Sequence, residues 1–474
     1  MNLPVYFDQS LALFADVVCQ QWGQSALENN FFLRDVVGKL TLIVLDSQYS
    51  QEQRLALAQQ AEQCLGHYAD GDGFAVATPD ELFDDRLRSS VHALAVSVKG
   101  AVFSGTLRLL DRRMVGADWL RQPAAVAMQP QRFVFASIKG GVGRTTALCV
   151  LAADLAAKGL RVLTLDMDLE APGLGNMLLS DDTLPEFGLL DYLVERGLGE
   201  LDDQFYADMI SSSWLGGGRG KVDVLPAIGR RSLQYPANVL AKIARAYLAY
   251  GQPDDGAADN EQAGFADHIN SLLARVADHW RYDVVLIDAR AGLHETSAAG
   301  IIGMGAEVLL FGVDQPQTFA GYSLLLAHLA TLPNGANAPN VLADDWRKRL
   351  HFIQAKAPAN KPMLEKFSGK MRELIGSWLW PQEPAHEDRG VLADLQDSFA
   401  VEWDDEANTD VGAVLENPLN EIDVVAIFNS EHYHAFDPLA NRDVLLEQLY
   451  RDAFGNFLTL IENLYSNSEQ DEAI

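Results

Sequence analysis

From residue 133 onward, short β-branched and aromatic runs alternate with segments whose apolar residues recur at helical spacing. Runs at 133–137, 161–165, 222–225, 284–287, 307–313 and 350–354 read as buried strands by their length and branching. Between them, 147–158, 189–195, 236–250, 264–280 and 319–332 read as helices, and Gly159 stops the first. Residues 423–428 read as a last strand. Residues 442–465 read as a long terminal helix carrying Leu445, Leu446, Leu449, Tyr450 and Phe454 on helical spacing. Strict alternation of this kind predicts an α/β class, a mostly parallel, doubly wound sheet with helices on both faces. Glycine-rich 216–220 reads as a turn and polar, acidic 253–262 as a surface loop. Residues 380–420 are acidic and receive no assignment.

The first 125 residues follow a different rhythm. Helical spacing at 10–21 and 51–67 combines with strand-like runs at 40–45, 91–98 and 105–110, and residues 68–73 form an Asp- and Gly-rich turn. This predicts a smaller N-terminal α+β domain over 1–125, a linker near 121–131 with Pro123 and Pro130, and a second domain over 126–474. Asp111, Arg112 and Arg113 end a strand run there, a pattern that suits solvent better than an anion site.

Composition narrows the functional classes. The 474-residue chain has a formal net charge of −30 and a pI near 4.6, and the acidity lies mainly in the second domain. No run of Lys and Arg offsets it, so nucleic acid carries no strong signal as a partner. Cys19, Cys64 and Cys149 lie far apart and fit buried thiols in a reducing cytoplasm. No apolar span of about 18 residues suggests a membrane helix, and the N-terminus lacks the basic-then-apolar order of a signal peptide. His432 and His434 stand two apart without further spaced ligands, a poor metal pattern.

The chemistry concentrates in KGGVGRTT, comprising Lys139, Gly140, Gly141, Val142, Gly143, Arg144, Thr145 and Thr146. A strand run precedes it and a helical run follows. Strand, glycine loop and helix in that order form a phosphate cradle, in which glycines turn backbone N–H groups toward an anion and the helix start adds its positive end. The threonine hydroxyls sit where Mg²⁺ and phosphate oxygens are met. Two further strand runs end in carboxylates, Asp166 with Asp168, and Asp288 with Gly292 four positions on. A carboxylate at a strand end orients a Mg²⁺ shell, and a glycine just beyond can offer its N–H to a γ-phosphate. Together these segments predict a P-loop NTPase sheet that binds a nucleoside triphosphate. Arg144 stands where such loops carry lysine, and a planar, always-charged guanidinium grips oxygens as a fork rather than as a point.

KGGVGRTT resembles the deviant Walker A motif of the ParA/MinD ATPases, relatives of the nitrogenase iron protein, and the resemblance covers about residues 131–330. It implies ATP with Mg²⁺ as ligands and a homodimer closed around ATP, in which Lys139 reaches the partner's phosphates. It assigns Mg²⁺ to Thr145 and Asp288, to which the strand-end reading adds Asp166, the α-phosphate to Thr146, and the attacking water to Asp168. The γ-phosphate contact falls to Gly292, and Pro316 belongs to a DQPQ loop near the nucleotide. Arg144 departs from the pattern and leaves the hydrolysis rate open. Arg290 adds a second cation, either paired with a carboxylate or sensing the γ-phosphate. Gln354, Lys356 and Pro358 stand at the strand exit where a base would be read. Arginine forms of the loop in multi-domain chains resemble regulatory or phage-defence ATPases that act on a partner protein. The alternatives are a nucleotide-binding scaffold without hydrolysis and a DNA- or cargo-partition ATPase. The acidic tail after the terminal helix implies docking on the domain or on a partner rather than on a membrane.

Overall fold

The computed structural model describes residues 4–45, 48–71, 73–89, 93–127, 129–215, 219–247, 263–332, 345–379 and 424–471. The expectations placed on 216–218, 253–262 and 380–420 lie outside these. The chain divides into two compact units, Met1–Gln122 and Pro123–Ile474.

In the first unit, helices α1 (Phe7–Trp22) and α2 (Gln24–Asn29) precede strands β1 (Phe31–Arg34) and β2 (Leu40–Ile43). Helix α3 (Gln51–Leu65) follows, then strands β3 (Val76–Ala77), β4 (Leu94–Lys99) and β5 (Ser104–Asp111). The sheet order is β3-β2-β1-β5-β4, with β1 parallel to β5. Strand β1 was not expected, because its four residues, FFLR, show no alternation. Ser50 caps α3 by accepting from the Gln53 N–H, and Gly66 ends it with φ 57°. Buried Asp16 of α1 accepts the N–H groups of Ala101, Val102 and Phe103 at 2.7–2.9 Å, which fixes the turn between β4 and β5. Arg112 pairs with Asp84 and Arg113 with Asp111, so the charged triplet is consumed locally.

The second unit opens with strand β6 (Gln131–Ser137), helix α4 (Arg144–Ala157) and strand β7 (Arg161–Asp166). Helices α5 (Leu174–Leu178), α6 (Leu189–Glu195) and α7 (Asp203–Ala207) lead to strands β8 (Ser211–Ser212) and β9 (Lys221–Leu225). Helices α8 (Arg230–Gln234), α9 (Val239–Ala246) and α10 (Phe265–Trp280) precede strand β10 (Val284–Ala291). After helix α11 (Glu295–Ala298) come strand β11 (Glu307–Gly312), helix α12 (Pro316–Ala330) and strand β12 (Leu350–Ala357). Helix α13 (Lys361–Trp378), strand β13 (Val424–Phe428) and helix α14 (Glu447–Asp471) complete it. Among the described residues the sheet has the order β13-β12-β11-β6-β10-β7-β9-β8, parallel except for β8 against β9. This is the expected α/β class. Helix α13 was not expected; Asn360 caps it, and Phe367, Met371 and Ile375 bury one face. Residues 124–127, expected within a linker, are hydrogen-bonded into this unit through Ala124 to Ile302 and Ala127 to Gly305.

Side chains alternate across β6 and so serve two layers. Phe133 and Phe135 join the core formed with α4 and α14, whereas Val134 lies beneath Gly300 on the opposite face. The terminal helix docks on its own domain. Phe457 stacks edge-on to Phe135 and Phe311 at 6.2 Å each, and the Tyr450 hydroxyl donates to buried Asp154 of α4. Lys158 bridges Asp154 and Glu462. Replacing Phe457 with Ala opens a cavity beneath the central strands and is expected to lower the stability of this unit by about 3–5 kcal/mol, measured by denaturant unfolding.

Candidate functional site

With β6 at the middle of a parallel sheet, the loops leaving β6, β7, β10, β11 and β12 all emerge at one edge. Ligand sites of open α/β sheets form at that edge. The loop after β6 turns through Gly141 and Gly143, whose φ values of 73° and 101° are left-handed. A Cβ at Gly140, Gly141 or Gly143 would enter open space, so the concave side of the loop has room for an anion. Val142 is buried and anchors the loop from beneath. Residues 141–146 form one wall of a cavity of about 310 Å³. Met177, Ala355, Lys356, Tyr433 and Phe436 are among the residues of the other walls, and of these only Lys356 was expected near a ligand.

The carboxylates meet beneath this loop. Asp288 and Asp166 are register partners on neighbouring strands, and both are buried. The Thr145 hydroxyl donates to Asp288 Oδ2 at 2.5 Å. Asp288 Oδ1 is buried with no hydrogen-bond partner among the described residues. A buried oxygen left unpaired is costly, and a divalent cation held by Thr145 and Asp288 would satisfy it. The donor set, hydroxyl and carboxylate oxygen, suits Mg²⁺.

Asp166 is arranged otherwise than expected of a metal ligand. Its oxygens accept the N–H groups of Asp168, Gly173 and Leu174 at 3.0–3.1 Å, so it shapes the loop after β7. Asp168 caps the same loop by accepting from Ala171 N–H.

Arg144 also departs from expectation. It borders the cavity, yet it is buried and its guanidinium donates to the Ala289 carbonyl. The β10–β6 ladder shifts register between Asp288 and Ala291 at this point. In this arrangement the arginine braces the end of β10. Gly292, with φ 93°, donates its N–H to the Ser137 carbonyl at 2.8 Å, so this donor is engaged within the sheet.

The other expected residues fall into two places. Lys139 reaches the Gln315 side chain at 2.7 Å, beside Pro316, which starts α12. Arg290 forms an ion pair with Glu170. This links the loop after β7 to the segment after β10, and Glu170 was missed because nothing in LEAPG marks it apart from nearness to Asp168. His294 lies 3.9 Å from Glu170, and its pKa is lowered by burial and by Arg290. Tyr247 packs edge-on to His294 and is pushed up to about 12, mainly by burial. Of the strand-exit trio, Gln354 is buried within β12, Lys356 lines the cavity, and Pro358 does not contribute to its walls. His434 bonds Asn429 at 3.0 Å.

Burial, and then the neighbouring Asp288 charge, raise Asp166 from 3.8 to about 8. Burial likewise raises Asp288, opposed by the Arg144 charge and the Thr145 hydroxyl. The folded chain therefore holds a proton that the unfolded chain releases between these values. The stability this confers is complete below pH 3.8 and is lost as pH rises through about 8. Asp288→Asn removes the like charge and is expected to flatten the fall in melting temperature between about pH 4 and 8, the span of the two values, measured without nucleotide.

Residues 133–355 match a family model described as the CobQ/CobB/MinD/ParA nucleotide binding domain. No curated protein matches the chain. Among solved structures, a ParA family ATPase from Chlorobium tepidum is similar at 18% identity and a TM-score of 0.33, covering 52% of this chain and 81% of its own. The cell division ATPase MinD of Pyrococcus furiosus is similar at 18% identity and a TM-score of 0.38, with 71% and 100% covered. A substituted form of Cyanothece McdA in complex with ATP shows 13% identity and a TM-score of 0.38, with 73% and 98% covered.

Proposed function

We propose that the chain, whose residues 133–355 match the CobQ/CobB/MinD/ParA nucleotide binding domain, is a slowly hydrolysing, ATP-dependent dimer switch that regulates a partner protein. The observation that carries the reading is the pairing of Thr145 with buried Asp288, whose second oxygen is unsatisfied, directly beneath a glycine loop.

In this reading the backbone N–H groups of Gly140 to Thr146 would hold the phosphates, the α-phosphate falling to Thr146. Thr145 and Asp288 hold Mg²⁺, with Asp166 setting the loop behind them. Mg²⁺ supplies charge neutralisation at the phosphate oxygens. Asp168 orients the attacking water. Lys139 exchanges Gln315 for the phosphates of a second copy. Gly292 and Arg290, held by Ser137 and Glu170 here, would be the groups that meet the γ-phosphate, and their release would change the outer surface of the segment after β10. The N-terminal domain, 1–125, or a partner protein reads that change. The net charge of −30 disfavours DNA as the partner. Among the described residues no helix is long and apolar enough to cross a membrane.

The engagement of Arg144 with Ala289 favours a second reading, a scaffold that holds ATP without cleaving it. Phosphate release separates the two. Wild type is expected to release phosphate slowly, and Asp168→Ala to reduce the rate about a hundredfold or more, as for loss of a general base or water-orienting group, while ATP affinity is retained. Equal release by the two proteins would remove Asp168 from the mechanism. Light scattering is expected to show a doubling of mass with ATP, and an unchanged mass would refute the dimer switch.

A further inference from the structure

The loop arginine is turned into the core, which raises the question of which group meets the phosphate charge from within the same subunit. The neighbouring cations are engaged with groups outside the glycine loop. Arg144 donates to Ala289, Arg290 pairs with Glu170, and Lys139 reaches outward to Gln315. Lys356 differs. It is exposed at the end of β12, lines the cavity beside the glycine loop, and places its ammonium 2.7 Å from the Gly141 carbonyl. It forms no ion pair among the described residues. Its ammonium is held on the glycine loop by a neutral carbonyl, with no carboxylate paired to it among the described residues.

Its backbone carries a second, independent signal. Lys356 has φ 52°, in the left-handed region, which an unbranched side chain enters at a cost. Of the other non-glycine residues with positive φ, Arg281 ends α10, where such a conformation is ordinary, and Phe83 belongs to the first unit. The β12–β13 register also shifts between Gln354 and Ala357. A bulge of this kind bends a strand and re-aims a side chain, and bulges concentrate beside active sites. Here it turns residue 356 out of strict alternation and toward the glycine loop. Gln354 keeps its place in the sheet, buried, so the displacement is confined to the strand end.

We propose that Lys356 is the in-subunit phosphate-binding cation of this site, supplying from the end of β12 the charge that the loop residue Arg144 directs into the core. The inference rests on the nucleotide-binding reading above and deepens it. The ammonium exchanges the Gly141 carbonyl for a phosphate oxygen of the nucleotide, and the left-handed backbone holds it there before the ligand arrives. Arg144 is then a positioning residue that acts through the end of β10. This division of labour explains how the loop tolerates arginine: the compact point charge that phosphate loops take from lysine comes from another strand.

The test uses the full chain and measures the affinity of ATP and ADP for wild type, Lys356→Met, Lys356→Gly and Lys356→Arg, together with each melting temperature without nucleotide. Loss of one charge-assisted bond to phosphate is expected to weaken ATP and ADP about tenfold or more in the Met and Gly variants. Lys356→Arg is expected to recover most of the affinity, and the Met variant to show a shallower dependence of affinity on salt. Lys356→Gly is expected to melt at or above the wild-type temperature, since glycine accepts the left-handed backbone without strain. Wild-type affinity in Lys356→Met would overturn the inference while leaving nucleotide binding intact. A lower melting temperature in Lys356→Gly, with affinity lost in proportion, would overturn it in favour of a structural latch on Gly141. Failure of the wild type itself to bind ATP or ADP would overturn the nucleotide reading, and the inference with it.

Discussion

Two carboxylates, Asp166 and Asp288, are forced side by side by the parallel register of β7 and β10, and both are buried. Like charges in that position repel, and burial penalises each. Much of the surrounding arrangement answers that problem. Three loop N–H groups converge on Asp166, the Thr145 hydroxyl and the Arg144 charge act on Asp288, and one oxygen of Asp288 is left unsatisfied. The loops after β6, β7 and β10 are therefore mechanically joined. A cation bound at Thr145 and Asp288 would act on all three.

The joints between these loops are polar and few, which suits a switch. Arg290 and Glu170 connect the segment after β10 to the loop after β7, and Gly292 is held to β6 by one hydrogen bond. Beneath them lies a well-packed core of Phe133, Phe135, Phe311 and Phe457 that resists deformation. Exchange of a few hydrogen bonds at the sheet edge can thus change the outer surface without disturbing the layers below. Under the proposed function, that contrast between an apolar core and polar joints at its edge is what would let the phosphate state be read at a distance.

The site is also composite along the chain. The matched family domain ends at residue 355, immediately before Lys356. Ile427, Tyr433, Phe436 and Phe454, all later still, complete the walls of the cavity. Helix α14 is anchored on α4, the helix that follows the glycine loop, through Tyr450, Asp154, Lys158 and Glu462. Residues of the C-terminal segment thus line the same cavity as the glycine loop.

Local order carried much of this into the sequence. Strand, glycine loop and helix must be contiguous to make a phosphate cradle, so Lys139 to Thr146 could be recognised without coordinates, as could apolar strands ending in Asp166 and Asp288. Apolar runs of strand length separated by helical periods likewise determined the α/β class. What stayed hidden depended on direction or on distant pairing. Residue type alone cannot say whether a guanidinium at position 144 turns up to phosphate or down to Ala289, because a long side chain spans both. Glu170 meets Arg290 only because β7 and β10 are neighbours in the sheet. Lys356 faces the glycine loop through a register shift and a left-handed backbone, neither of which leaves a mark in composition or period. The sequence by itself determined which chemical groups stand at the sheet's edge; the tertiary structure decided which way each one points, because side-chain direction follows from strand register and packing.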